Sequence, residues 1–423
     1  MHDHGASQTP TDITRRAALR LTAAFLATLT SPANAAQKTK EKSKQVARAT
    51  FEQWVESFKP RALARGVSDA TYTRVMRGLR PDTSVYALDR SQPEFTEKLW
   101  QYLNRRVSDW RVTEGREKAK EYDALLKRVE QDFGVAPPVM LGIWGVESAY
   151  GDPDVQKNHM RPIFPALGAL AWGEPRRRRY WEQELLNALV IVQRGWGTPE
   201  EMRGSWAGAM GHTQWMPEVW LNMGMDYDHD GKVSPFGHPD DALASTARYL
   251  ANRGKYRRGE HWGYEVHVPK GARQGASRSY EAWSKAGVTR ADGQPFPQPK
   301  ATARLWVPEP GGPGFLCGPN FYAVRSYNPS MNYTLAIVHL GDRIMGAPEV
   351  APKFPGGERA PTLVEIQEIQ RRLTALGFDT GGSDGRVGND TMSAVVNFQR
   401  KIAMAPADGY VGVKLLARLR EAR

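Results

Sequence analysis

The stretch LGIWGVESAYGD, residues 141–152, sets one carboxylate, Glu147, inside an apolar run spaced by glycines. It follows two prolines (Pro137, Pro138) suited to a first helical turn and stops at Gly151, so the pattern predicts a short apolar helix. A buried charge there has two readings. Glu147 is either the partner of a distant arginine or a carboxyl kept protonated by apolar walls, able to donate a proton near neutral pH.

Outward from this helix the chain is dominated by helical periodicity. FEQWVESFKPRALARG and SDATYTRVMRGL carry apolar residues at three- and four-residue spacing, with Ser68 and Asp69 as the N-cap region of the second. The run from Phe95 to Gly134 reads as one or two long helices, and RRRRYWEQELLNALVIVQRG and PDDALASTARYLANRG add more. Alternation is scarce. RLWVPE and NFYAVRSY are the best strand candidates for a small sheet.

Composition is that of a globular protein: 423 residues, 40% hydrophobic and 25% charged. The net charge of +12 favours polyanionic partners without choosing among them. Residues 1–36 choose. Arg15 and Arg16 precede an apolar run from Ala17 to Leu29 and the small-residue site ending at Ala35, the layout of an export signal of twin-arginine type. The run is short for a membrane span, and no cysteine follows it to carry a lipid. The expectation is an exported periplasmic protein with no stable membrane anchor and no nucleic-acid partner. The one cysteine, Cys317, has no partner for an internal disulfide.

Residues 37–50 read as a flexible lead-in, residues 51–345 as the main folded body, and the Pro/Gly-rich 346–361 as a linker. Residues 362–423 form a separate helix–loop–helix–loop–helix unit with two similar loops, SDGRVG and ADGYVG. If 346–361 is only a tether, cutting near Pro355 leaves the main body working by itself.

Two resemblances follow. The C-terminal unit, with IQRRLTALGF, DGRVGNDTMSAVVNFQ and DGYVG, resembles the small peptidoglycan-binding domain of wall enzymes. The body resembles lytic transglycosylases of the membrane-bound B type, in a soluble form. The likeness rests on GIWGVESAYG, RRRYWEQEL, GSWAGAMGHTQWMPEVW, DYDHDG, DALASTARYL and GPNFYAVRSYNPSMNY in that order. It implies a mainly α, lysozyme-like catalytic domain with extra helical lobes, a small β-sheet and a three-helix C-terminal domain. The implied reaction cleaves the MurNAc–GlcNAc bond of peptidoglycan without water, leaving 1,6-anhydro ends.

The residues suit that reaction. Hydrolysis of a glycoside uses two carboxylates; here Glu147 is the one good candidate, since Asp152 and Asp154 fall in a turn-like GDPD. A single acid suits a substrate that supplies its own nucleophile, with Glu147 acting as acid and then as base. The alternatives are a water-using muramidase and a non-catalytic wall-binding scaffold. By resemblance, Ser205 and Gln214 line the cleft, with Gln214 either bonding an N-acetyl group or positioning Glu147. Gly208, Met210 and Gly211 let backbone approach the glycan. Tyr249, Tyr327, Tyr333 and Tyr102 offer flat faces to sugar rings, and Asn328 faces developing charge. Arg178 and Arg179, from the RRRR run, meet stem-peptide carboxylates. Peptidoglycan strands and their stem peptides are the expected partners, with wall-synthesis proteins beside them.

No cofactor is needed for this chemistry. Asp226, Asp228 and Asp230 occupy positions one, three and five of an EF-hand-like loop, with Gly231 at six and the Lys232 carbonyl at seven. Position twelve, normally a carboxylate, is Gly237. The loop is therefore a candidate for a structural calcium or sodium ion.

Overall fold

A computed structural model describes residues 50–90 and 97–422, so the expected export signal and nearly all of the expected lead-in lie outside the described residues. Thr50 onward forms one compact unit. Several of its helices start where a side chain satisfies a free backbone amide. Thr50 and Gln53 form a capping box on Phe51–Ala64, Ser68 caps Asp69–Met76, and Thr362 with Glu365 forms a second box on Leu363–Ala375. The long helical run expected after Phe95 is divided into Leu99–Arg106, Asp109–Glu121 and Asp123–Phe133. The first break falls at Val107–Ser108, where the Ser108 hydroxyl caps the next helix, and the second at Tyr122.

Among the described residues, four apolar cores organise the fold. One gathers Pro137–Ser148, Asp240–Asn252 and Met331–Ile344 with the helices between Leu99 and Phe133. A second gathers Phe51–Ala64 and Asp69–Met76 with Ile163–Gly173, Arg178–Gln193 and Pro217–Met223. A third lies beneath an antiparallel five-stranded sheet. In spatial order its strands are Ser277–Ser279, Thr302–Trp306, Gly314–Cys317, Gly263–His267 and Thr289–Arg290. The fourth is the three-helix C-terminal unit, built from Leu363–Ala375, Asn389–Lys401 and Val413–Glu421.

The first half of RLWVPE ends the strand Thr302–Trp306, but NFYAVRSY is not a strand. It forms the helix Pro319–Arg325, with Pro319 at the first helical position and buried Phe321 and Val324 three residues apart. A short apolar run fits either period, and here the helix-starting proline decides.

Residues 346–361 are not a free tether. Val350, Ala351 and Phe354 are buried in the first core, and Asn104 donates from Nδ2 to the carbonyl of Glu358 at 2.8 Å. The Pro/Gly composition reports missing periodicity; it does not report missing packing.

Candidate active site

The glycine spacing of the 141–152 stretch sets how closely two helices approach. Pro137–Ser148 runs antiparallel to Met331–Ile344. A Cβ at Gly142 would press into the carbonyl oxygen of Ile337, and one at Gly341 into that of Pro138. This close register brings Tyr333 against Glu147 at the other end of the pair, and the tyrosine hydroxyl donates to Glu147 Oε1. Burial and the neighbouring Glu147 charge push the Tyr333 phenol well above its ordinary value, so it stays a neutral donor. Ser330 caps the helix that carries Tyr333, and the Asn328 side chain accepts from the Ser330 amide at 3.1 Å.

Behind Glu147 the backbone enters the left-handed region at three successive residues, Ala149 (φ 52), Tyr150 (φ 63) and Gly151 (φ 77). For the two residues with a Cβ this costs roughly 1–2 kcal/mol each, so such a turn persists only where its surroundings fix it. Ser148 Oγ donates to the His212 carbonyl at 2.6 Å and accepts from the Gly151 amide at 2.9 Å. The Tyr150 hydroxyl donates to the Arg111 carbonyl at 2.8 Å. Trp144 Nε1 donates to His212 Nδ1 at 3.0 Å, while His212 Nε2 lies 2.8 Å from the Gly237 carbonyl. Burial lowers the His212 pKa, consistent with a neutral ring that donates from Nε2 and accepts at Nδ1.

A third element completes the site. Met210 and Trp215 exchange backbone hydrogen bonds across a tight turn whose corners, Gly211 and Gln214, both have positive φ. The Gln214 amide nitrogen donates to the Gly211 carbonyl at 2.9 Å. The turn presents the Thr213 carbonyl to the Tyr327 hydroxyl at 2.6 Å. Tyr327 is half-buried, and burial together with the Glu147 charge raises its pKa. Tyr249 meets Tyr327 edge-on at 5.3 Å between ring centroids and donates to the Ser326 carbonyl. Glu147, Tyr333, Tyr327, Tyr249 and the Gln214 turn thus share one seam, where the first core meets the second.

Other expected site residues fall elsewhere or do other work. Tyr102 is 1% exposed in the first core, flanked by Arg105 and Arg106, and presents no face to a sugar. The Ser205 hydroxyl accepts from the amides of Ala207 and Ala209, which fixes its place within its own turn. Gly208 and Gly211 do not open backbone to a ligand. A Cβ at either would meet Leu167 or the Pro235 carbonyl, and Met210 is fully buried. Arg178 and Arg179 stand exposed on the first turn of Arg178–Gln193. Sequence reasoning missed His212 and Thr213 as supports. Their signal was present in GHTQW, but a lone histidine or threonine does not announce a hydrogen-bond partner in another element.

The acidic loop is separate. Carboxylate oxygens of Asp226, Asp228 and Asp230 lie within 4.8 Å of one another, and Gly231 takes φ 89. Asp241 closes the loop by accepting from the amides of Tyr227 and Ser234 at 2.6 and 2.9 Å. Burial, and the charges of Asp228 and Asp226, raise its pKa.

Fold and seam together define a helical, lysozyme-like glycan-cleaving enzyme. Residues 50–342 match the family described as "Transglycosylase SLT domain", and residues 363–419 that described as "Putative peptidoglycan binding domain". The chain belongs to this lytic transglycosylase family and carries a C-terminal peptidoglycan-binding domain. It is 28% identical over 278 residues to membrane-bound lytic murein transglycosylase B of Escherichia coli, covering 64% of this chain and 73% of that protein. SltB3 from Pseudomonas aeruginosa, solved in complex with NAG-anhNAM-pentapeptide, is 36% identical. That match has a TM-score of 0.66 and covers 88% of this chain and 99% of SltB3. The Escherichia coli lytic transglycosylase Slt35, solved in complex with calcium, is 26% identical. Its TM-score is 0.59, with 69% of this chain and 92% of Slt35 covered.

Proposed function

We propose that this peptidoglycan lytic transglycosylase works with Glu147 as its only acid and base. Glu147 gives its proton to the glycosidic oxygen as the bond from C1 of the muramic acid to that oxygen breaks. The resulting carboxylate takes the proton from the C6 hydroxyl while O6 bonds to C1, so no water is consumed and a 1,6-anhydro end forms. Tyr333, 4% exposed, offers no ring face to a sugar and instead holds the carboxylate in place between these two transfers, while half-buried Tyr249 and Tyr327 give flat surfaces for sugar rings. The observation that carries the one-acid reading is the fate of Asp152, the next carboxylate along the chain. Its Oδ2 lies 2.6 Å from Arg386 Nη1, an ion pair that withdraws it from service as a second catalytic group.

Glycan strands with stem peptides are the proposed substrate, matching the NAG-NAM-pentapeptide bound in an SltB3 structure. Arg178 and Arg179 are the proposed contacts for stem carboxylates. Residues 1–36 would direct export to the periplasm, and among the described residues no helix is long and apolar enough to cross a membrane. The Asp226–Asp228–Asp230 set offers hard oxygen donors suited to calcium, which would brace the loop and take no part in proton transfer.

The test is mass spectrometry of soluble products from purified peptidoglycan. Products ending in 1,6-anhydromuramic acid support the reading, and reducing ends would replace it with hydrolysis. Glu147→Gln is expected to abolish cleavage while wall binding persists; retained turnover removes Glu147 from its role.

A further inference from the structure

The two similar loops of the C-terminal domain are built alike. In the first, Gln370 accepts from the Gly385 amide at 2.8 Å and donates to the Arg386 carbonyl at 2.9 Å. In the second, Gln399 accepts from the Gly409 amide at 2.9 Å and donates to Asp408 Oδ1 at 3.3 Å. Each loop then directs its next residue, Arg386 or Tyr410, onto a tryptophan of the catalytic domain. The Arg386 guanidinium lies 4.7 Å from the Trp110 ring centroid, and Tyr410 meets Trp100 edge-on at 5.1 Å. Tyr410 also accepts from Asn104 Nδ2 at 2.7 Å.

Equivalent positions have acquired different duties. Tyr410 docks, whereas Arg386 docks and also reaches Asp152, just past the left-handed turn behind Glu147. The Asp152 side chain is 9% exposed. Its Oδ1 accepts from the amides of Asp154 and Val155 at 2.8 and 3.3 Å, while its Oδ2 takes the arginine. The anchors described above hold the turn from upstream through Ser148, His212 and Arg111; Asp152 holds its downstream end. Exposed Asp154, 3.9 Å from the same guanidinium, adds little.

We propose that Arg386 is a positioning residue for the catalytic acid, supplied by the peptidoglycan-binding domain: by pinning Asp152 it fixes the turn that orients Glu147. The proposal rests on the reading of Glu147 as the acid. It makes the C-terminal domain part of the catalytic machinery as well as a wall anchor, so cleavage of soluble fragments depends on the tail.

The experiment measures kcat and KM of the full chain on soluble glycan–peptide fragments for Arg386→Ala, Arg386→Lys, Asp152→Asn and the Arg386→Ala/Asp152→Asn double variant. Arg386→Ala is expected to lower kcat about tenfold, as loss of orientation does, with KM within about twofold because Arg386 is placed off the substrate. Asp152→Asn should match it, the double variant should be no slower than either single, and Arg386→Lys should recover part of the rate. Asp152→Asn keeps the caps on Asp154 and Val155, so it tests the ion pair even if Arg386→Ala folds poorly. An unchanged kcat in Asp152→Asn, or single effects that multiply in the double variant, overturns the proposal. Glu147→Gln in the same assay separates the two ideas: full turnover there defeats the acid assignment, whatever Arg386 does.

Discussion

Replacing Gly142 with alanine tests whether helix spacing sets the catalytic geometry. The added methyl would press on the Ile337 carbonyl, and backbone cannot swing aside as a side-chain tip can. Restoring an unstrained contact of about 3.5 Å requires the two helices to separate by on the order of 1 Å. Overpacking of this kind costs about 1–3 kcal/mol. The same displacement acts on the Tyr333–Glu147 contact five residues along, where about 1 Å of misplacement can cost 100-fold in rate. Gly341→Ala is the control, because its clash with the Pro138 carbonyl lies at the far end of the same helix pair. Thermal denaturation and kcat on soluble fragments, measured well below the unfolding transition, separate the effects. Both variants should lose comparable stability, and Gly142→Ala should lose far more kcat. A folded Gly142→Ala enzyme with kcat within about twofold of the parent would refute the argument.

Burial depresses the His339 pKa from 6.5 to about 4. The unfolded chain therefore takes up this proton first, and stability falls as pH drops from about 6.5 to about 4, by on the order of 3 kcal/mol from this group. Glu184, raised by burial to about 7, works in the opposite sense as pH rises from 4.5. His339→Asn should therefore flatten the acid limb of stability relative to the parent; parallel curves would show that the ring does not titrate as argued. Calcium should raise the melting temperature, with about 2.7 kcal/mol of stabilisation at 100 times the dissociation constant. Asp228→Asn should remove the shift and leave turnover on soluble fragments unchanged. Equal melting temperatures in calcium and chelator would exclude a cation role for the loop.

Most helices were legible in the sequence because their signals are local. Three- and four-residue spacing, Ser68 at a helix start and Pro137 at a first turn all act within a few residues of themselves. Glu147 was legible for the same reason, as a carboxylate within an apolar helix. NFYAVRSY was misread because a short apolar run carries too little periodicity to separate strand from helix, and the docked 346–361 segment because composition is silent on packing. The roles of Ser205, Gly208 and Gly211 turned on which neighbours they meet, which no spacing records.

The sequence by itself determined the helical class, the catalytic candidate and the two-part plan, since each is written in residue type and short-range order. Tertiary structure alone decided that Tyr333, 186 residues away, donates to Glu147, that Asp152 is taken by Arg386, and that the Pro/Gly segment packs. The physical reason is range. Caps and periods are settled by backbone geometry within a turn or two, whereas the Tyr333–Glu147 contact needs two distant helices that glycines let close on each other. The repeated loops of the C-terminal domain likewise meet tryptophans that lie some 275 to 310 residues away in the chain, beyond the range of any local signal.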